Sequence, residues 1–327
     1  MPEQPFSVLY STIDPSAIAA RILSCYDIGM VQTCKFWCRG LSDVYWVETD
    51  RDAYVLRISH WGWRSQTDIE FELAMLDFLH QQALPVAYPL RTKNGRLSIV
   101  IQAPEGDRYA ALFIHAPGTV PLGDLSIRQA IKLGETLSKV HQAGLEFKCE
   151  IERKPLTLEY LLNESWNEIS PFLKVSDRDY VEETIAQIQL ELKEFPRSSP
   201  YWSICWGDPH SGNAHFTEAD QPTLFDFDQC GFGWRSFDLG KFRQVALSTG
   251  VSRRVREAFL QGYQSIGQLE EFELKAISAF TQTAHIWSWS IGLTYALHHN
   301  YSRLDSWFFR QRVEQLRTLK SPDWQMF

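Results

Sequence analysis

Between Trp206 and Asp228 the chain carries three polar side chains whose types and intervals suit one kind of reaction. Asp208 and Asn213 stand five positions apart in Trp206-Gly207-Asp208-Pro209-His210-Ser211-Gly212-Asn213. Asp226 follows thirteen residues after Asn213, at the end of an apolar run, in Phe225-Asp226-Phe227-Asp228. A carboxylate can take the proton of an attacking hydroxyl, while a carboxamide and a second carboxylate offer the hard oxygen ligands that magnesium prefers. Phosphoryl transfer asks a protein for positioning and charge neutralisation more than for covalent chemistry. A base, two ligands for Mg2+ and a cation on the phosphates of ATP are therefore close to a complete machine. Asp208 is the candidate base, and Asn213 and Asp226 are the candidate metal ligands.

The cation has to come from another element. Ala53-Tyr54-Val55-Leu56-Arg57-Ile58 alternates as a half-buried strand does, and its Arg57 can grip phosphate oxygens. An ion-pair partner should lie on the helix that follows. Glu72, fifteen residues on, is preferred to Glu70 because its spacing to the apolar face is better. A cover for the phosphates is expected in Cys38 to Tyr45, between the first two strands, with Gly40 and Ser42 as candidate contacts.

Around these residues the first third reads as a short helix over Asp14 to Tyr26, then strand, strand, helix, strand, strand. The strand runs are VYWVETD, AYVLRIS, RLSIVIQ and YAALFIH, and the helix spans Asp68 to Gln82. After Pro117-Gly118 the pattern changes to amphipathic helices at Ser126 to Gln142, Leu156 to Phe172 and Asp177 to Phe195. SICW and TLFDF then bracket the Asp208 loop as two short strands, and helix is expected from Asp238 to the end. The reading is an α+β fold of two lobes, residues 1–116 clamping ATP and residues 117–327 carrying the catalytic loop and the acceptor site.

Composition removes several classes. The chain has 327 residues, 44% hydrophobic and 22% charged, with a net charge of -8. It lacks the basic footprint of a nucleic-acid binder. No apolar run is long enough to span a bilayer, and MPEQPFSVLYSTID does not read as a signal peptide, so the expected location is cytoplasmic. Six cysteines are too few for a disulfide scaffold and are expected as free thiols, mostly buried. The acidic balance suits a cationic acceptor.

The five-residue Asp-to-Asn interval is that of the kinase catalytic loop, and WGDPHSGN, FDFD and Phe237-Asp238-Leu239 together resemble the aminoglycoside phosphotransferase and choline kinase superfamily. Its signature is H-G-D-x-H-x-x-N, then (I/F)-D-(F/W)-(D/E), then D-L. LGETLSKVHQAG, FIHAPG and AFLQGY extend the resemblance over nearly the whole chain. It implies a bilobal protein-kinase-like fold, a small-molecule hydroxyl as acceptor, and adenine held by the backbone of Ile114 and Ala116. Kinases that modify protein serine or threonine also occur in the superfamily, and a nucleotide-binding pseudokinase is the non-catalytic alternative. Two positions depart from the pattern: Trp206 replaces a histidine and Arg57 a lysine. His141, His210 and Asp238 read as structural, and Trp287, Trp289, Tyr295 and Trp307 read as core or as lining of an acceptor pocket.

Overall fold

The computed structural model describes residues 6–299, 304–324 and 327. The helix expected through to the C-terminus falls in part on 300–303, 325 and 326, which lie outside the described residues, as do residues 1–5 of the N-terminal segment. The chain divides into two compact units. One comprises residues 1–81, 86–116 and 149–153, the other residues 82–85, 117–148 and 154–327.

In the first unit, α1 (Pro15–Arg21) begins where Asp14 accepts the Ser16 N–H and Pro15 occupies the first helical position. It stops short of the expected Tyr26, which follows a 3-10 turn at Leu23–Cys25. Then come β1 (Val31–Arg39), β2 (Ser42–Thr49), β3 (Ala53–Ser59), α2 (Gln66–Gln81), β4 (Ile99–Ala103) and β5 (Gly106–Ile114). The strands form one antiparallel sheet in the order β1-β2-β3-β5-β4.

β1 is an addition to the four strand runs read from sequence. Register shifts at Val31/Thr33 and Phe36/Cys38 break its alternation, which hides the period-two signal. For the same reason the expected loop from Cys38 to Tyr45 contracts to a turn at Gly40 and Leu41. Cys38 belongs to β1, Ser42 opens β2 opposite Ser59, and the Gly40 N–H is held by the Ser42 carbonyl at 3.0 Å.

The pleat decides which way Arg57 points. Tyr45, Val47, Leu56, Ile58, Ala110 and Leu112 project to one face and pack with Ile18, Ile22 and Leu23 into a buried cluster. Arg57, its cross-strand neighbours Val44 and Ala111, and Val55 with its neighbours Trp46 and Phe113 therefore occupy the other face.

In the second unit α3 (Ile127–Gly144) is closed by a capping box between Ser126 and Gln129. The next predicted helix is wound irregularly, as a π-helical stretch at Glu159–Glu164, then α4 (Ser165–Ile169), then a 3-10 turn at Ser170–Phe172. α5 (Val175–Glu191) follows, then β6 (Trp202–Cys205), β7 (Ala214–Phe216), β8 (Pro222–Leu224) and β9 (Gly231–Trp234). β6 pairs with β9 and β7 with β8, both antiparallel. β7 and β9 were not legible in the sequence, because three or four residues carry too little alternation.

The remaining helices are α6 (Arg235–Thr249), α7 (Arg253–Ile266), α8 (Glu271–His298) and α9 (Ser306–Leu319). Trp234, Phe237, Phe280, Trp287 and Trp289 fill the core among them. Of the four C-terminal aromatics, Trp287 and Trp289 are thus core, whereas Trp307 is 64% exposed. Among the described residues no helix is long and apolar enough to cross a membrane. All six cysteines are free, but only Cys205 and Cys230 are buried, fewer than expected.

Candidate active site

β6 ends at Cys205 and the chain enters the Asp208 loop through Trp206 and Gly207. Both of their N–H groups donate to one carboxylate, Asp238 in the first turn of α6, at 2.7 Å to Oδ2 and 2.9 Å to Oδ1. His141 of α3 meets the same carboxylate through Nε2 at 3.0 Å and reaches the Tyr263 hydroxyl through Nδ1 at 2.8 Å. Asp238 is fully buried, so these bonds replace water that cannot reach it. Asp238 is the structural anchor of the loop that the sequence pointed to, and His141 is a buried histidine with both ring nitrogens hydrogen-bonded.

Gly207 is needed for the turn itself. Its φ of +86° lies in the left-handed region, and a Cβ there would stand 2.1 Å from the Gln229 carbonyl oxygen. Gly207→Ala should lose about 2 to 3 kcal/mol of stability from backbone strain and steric overlap. A guanidinium denaturation midpoint checks this, and an unchanged midpoint contradicts it.

Trp206 does more than replace a histidine. Its buried indole N–H is shared between the Phe225 and Asp226 carbonyls, at 3.1 and 3.2 Å, and its ring stacks on Phe227. The Asp208 loop is thereby tied to the Asp226 segment. A second tie is the Phe225 N–H, which donates to the Asn213 carbonyl at 3.0 Å as the β7–β8 ladder pairs Ala214 with Leu224. Asn213 and Asp226 therefore leave the same end of that ladder.

The Asn213 carboxamide donates through Nδ2 to the Asp208 carbonyl at 3.2 Å and to Asp208 Oδ2 at 3.4 Å. Among the described residues its Oδ1 makes no hydrogen bond, which leaves an oxygen ligand available. Asp226 has a φ of +57° and is exposed. A non-glycine residue in that conformation carries strain, and such strain concentrates where a side chain must be aimed. An oxygen-only pair of this kind fits a magnesium ion, and Asn213 and Asp226 are the residues that would hold it.

Around Asp208 the structure adds a residue that the sequence reading missed. Lys241 Nζ lies 3.3 Å from Asp208 Oδ1, and His210 Nε2 lies 3.6 Å from Oδ2. Gln229 Nε2 donates to Oδ2 at 3.4 Å. His210 also accepts the Gly212 N–H on Nδ1, the loop-holding contact expected of it. Burial alone would raise the Asp208 pKa, but the Lys241 charge and then the His210 hydrogen bond override it and hold the carboxyl well below its ordinary range. A lone lysine in a helical run reads as a solvated side chain. The available signal was its place one turn after Asp238, on the helix face that Asp238 already turns towards the loop.

In the first unit Arg57 Nη2 meets Glu72 Oε2 at 2.5 Å, with Glu72 1% exposed. The Arg57 guanidinium also lies over the Phe113 ring. Glu70 instead bonds Gln66 on the more open side of α2. Ile114 spends its N–H on the Tyr88 carbonyl, and Ala116 is buried at the end of this unit. Gly40 is exposed, and Ser42 is buried next to Asp43. Asp43 is itself fixed by Arg108 at 2.7 Å, by Arg39 at 3.1 Å and by the Tyr10 hydroxyl.

A five-stranded antiparallel sheet with an Arg–Glu pair, and a helical unit bearing Asp208, Asn213 and Asp226, define a protein-kinase-like phosphotransferase. The profile of the phosphotransferase enzyme family matches residues 38–274, and the chain belongs to that family. It is a kinase with an alcohol group as acceptor. It is similar to an uncharacterized protein of Synechocystis sp., with 49% identity over 98% of this chain and 90% of the relative. It is also similar to the amicoumacin kinase of Bacillus subtilis, with 24% identity over 83% of this chain and 81% of that one. Among solved structures, an amicoumacin kinase in complex with AMP-PNP, Ca2+ and Ami superposes with a TM-score of 0.78 at 19% identity, covering 94% of this chain and 93% of that one.

Proposed function

We propose that the protein transfers the γ-phosphate of ATP, with Mg2+, to a hydroxyl of a small molecule. The observation that carries this reading is the Asp208 carboxylate, kept ionised by Lys241 and bonded to the carboxamide of Asn213, on a loop clamped by Asp238. Asp208 accepts the proton of the acceptor hydroxyl as it attacks. Asn213 and Asp226 hold the metal, whose charge offsets that of the phosphate oxygens when it is bound. Arg57, oriented by Glu72, grips the phosphates, and its planar fork suits two oxygens at once. The turn at Gly40 and Leu41, with Ser42 at the start of β2, covers the phosphates, and the backbone of Ile114 and Ala116 holds the base. The relatives' small-molecule kinase activity and the nucleotide analogue in the amicoumacin kinase complex support this assignment.

The retained base and both oxygen ligands favour catalysis over a pseudokinase, which has no chemical need for all three. ATP consumption with Mg2+ across a panel of amino alcohols, hydroxy acids, aminoglycosides and a generic protein substrate tests the reading. Acceptor-dependent turnover on a small molecule supports it, and turnover on the protein alone overturns the small-molecule acceptor. Removing the metal ligand gives a second check. Asp226→Ala should weaken nucleotide binding at least tenfold in the presence of Mg2+ and little in EDTA. Titration calorimetry reads both, and an equal loss in the two conditions contradicts the metal role.

A further inference from the structure

Lys241 belongs to a small cluster of polar groups that extends beyond its contact with Asp208. Lys241 Nζ, 3.3 Å from Asp208 Oδ1, donates to Ser288 Oγ at 2.5 Å. Ser288 Oγ in turn donates to Gln244 Oε1 at 3.4 Å. Lys241 is 4% exposed and Gln244 8%.

Counting donors and acceptors shows an imbalance. An ammonium carries three N–H donors and a carboxamide two. With Ser288 and Asp208 satisfied, Lys241 retains one N–H. The Gln244 Nε2 group makes no hydrogen bond among the described residues. The acceptor atom of Gln244 is meanwhile occupied by Ser288. His285 does not restore the balance. Its Nε2 is bonded to the Arg312 carbonyl at 2.8 Å, and burial, with nearby Arg312 and Lys241, lowers its pKa to about 4 and leaves it uncharged. What remains unspent at this end of the site is therefore cationic and donating.

An occupant that accepts from both groups uses these donors, and a hydrogen bond from the charged ammonium is the stronger of the two. A cationic occupant would instead meet the ammonium directly. The net charge of -8 is spread over the whole chain and does not place an anion here. One ammonium, already shared with Asp208, matches a single negative charge better than a phosphate dianion, which draws on several cations.

We propose that Lys241 and Gln244 form the recognition end of the acceptor site, and that the acceptor is a hydroxylated carboxylic acid whose carboxylate they bind while its hydroxyl faces Asp208. The inference rests on Asp208 being the acceptor-side base.

The test uses matched pairs, each a hydroxy acid and the diol made by reducing its carboxyl group, with the full chain. Binding is measured by calorimetry with AMP-PNP and Mg2+, and turnover with ATP. At least one acid should bind about 10- to 100-fold more tightly than its diol, the range expected for charge-assisted hydrogen bonds. Lys241→Met should shrink that ratio below about threefold, Gln244→Leu should shrink it in part, and Lys241→Arg should retain it. Gln244→Leu removes only an uncharged donor, so it serves if Lys241→Met does not fold. Equal binding of every pair, preference for the diol, or a preference that survives both Lys241→Met and Gln244→Leu overturns the inference. The binding arm needs no turnover, so tight acid binding without phosphate transfer would contradict the kinase reading and leave the recognition site standing.

Discussion

Asp208→Asn is expected to reduce acceptor phosphorylation by about three to four orders of magnitude while leaving nucleotide affinity within about threefold of the parent. The amide is nearly isosteric, so the contacts to Asn213 and Gln229 can be rebuilt, but it cannot take a proton at neutral pH. Steady-state kinetics beside calorimetric nucleotide binding separates the two effects, and retention of more than a tenth of the activity contradicts the role of Asp208 as base. The pH dependence makes the same point. A carboxyl held well below its ordinary range contributes stability above its unfolded pKa of about 4 and loses it only as the pH falls through the lower folded value. Between about pH 5 and 8 Asp208 is therefore ionised throughout, and an acid limb in the rate profile within that window belongs to another group. Replacing Lys241 with Met removes the largest lowering influence, so an Asp208 limb should then move upward in pH.

Asp238→Ala has the second large effect, and it acts through the backbone. The mutation strips the partner from two buried N–H groups, those of Trp206 and Gly207, and from His141. Each unsatisfied buried donor costs about 1 to 3 kcal/mol, so a loss of about 4 kcal/mol is expected. The loop that positions Asp208 then loses its anchor, and a shift of about 1 Å in a catalytic group is worth about 100-fold in rate. Asp238→Asn should be intermediate, since its carbonyl can still accept one N–H while its amide faces the other. Urea denaturation and kinetics on both variants check this. A destabilisation below 1 kcal/mol for Asp238→Ala contradicts the anchoring role.

Legibility in the sequence followed the strength of the local physical signal. The spacing from Asp208 through Asn213 to Asp226 was readable because each side chain sits on one short continuous segment. The Arg57–Glu72 pairing was readable because strand alternation and helical periodicity independently fix which way each side chain turns. β1 was hidden by its register shifts, and β7 and β9 by their length. Lys241 was hidden because its importance comes from packing. α6 lies against the loop, and only that packing distinguishes a lysine buried beside a carboxylate from one on a solvated face. The two departures in the pattern also become intelligible only with neighbours in place: the Trp206 indole bonds two carbonyls of the Asp226 segment, and Arg57 keeps its glutamate.

The central claim is that Asp208 drives transfer of a phosphoryl group from Mg-ATP to a small-molecule hydroxyl. Its most direct test is transfer of labelled γ-phosphate to a hydroxylated acceptor, followed in a single turnover by the parent protein and by Asp208→Asn at equal nucleotide occupancy. The account predicts label on the acceptor oxygen with the parent and a loss of at least about 1000-fold with the variant. Label released only as free phosphate, or transferred equally well by both proteins, would contradict it.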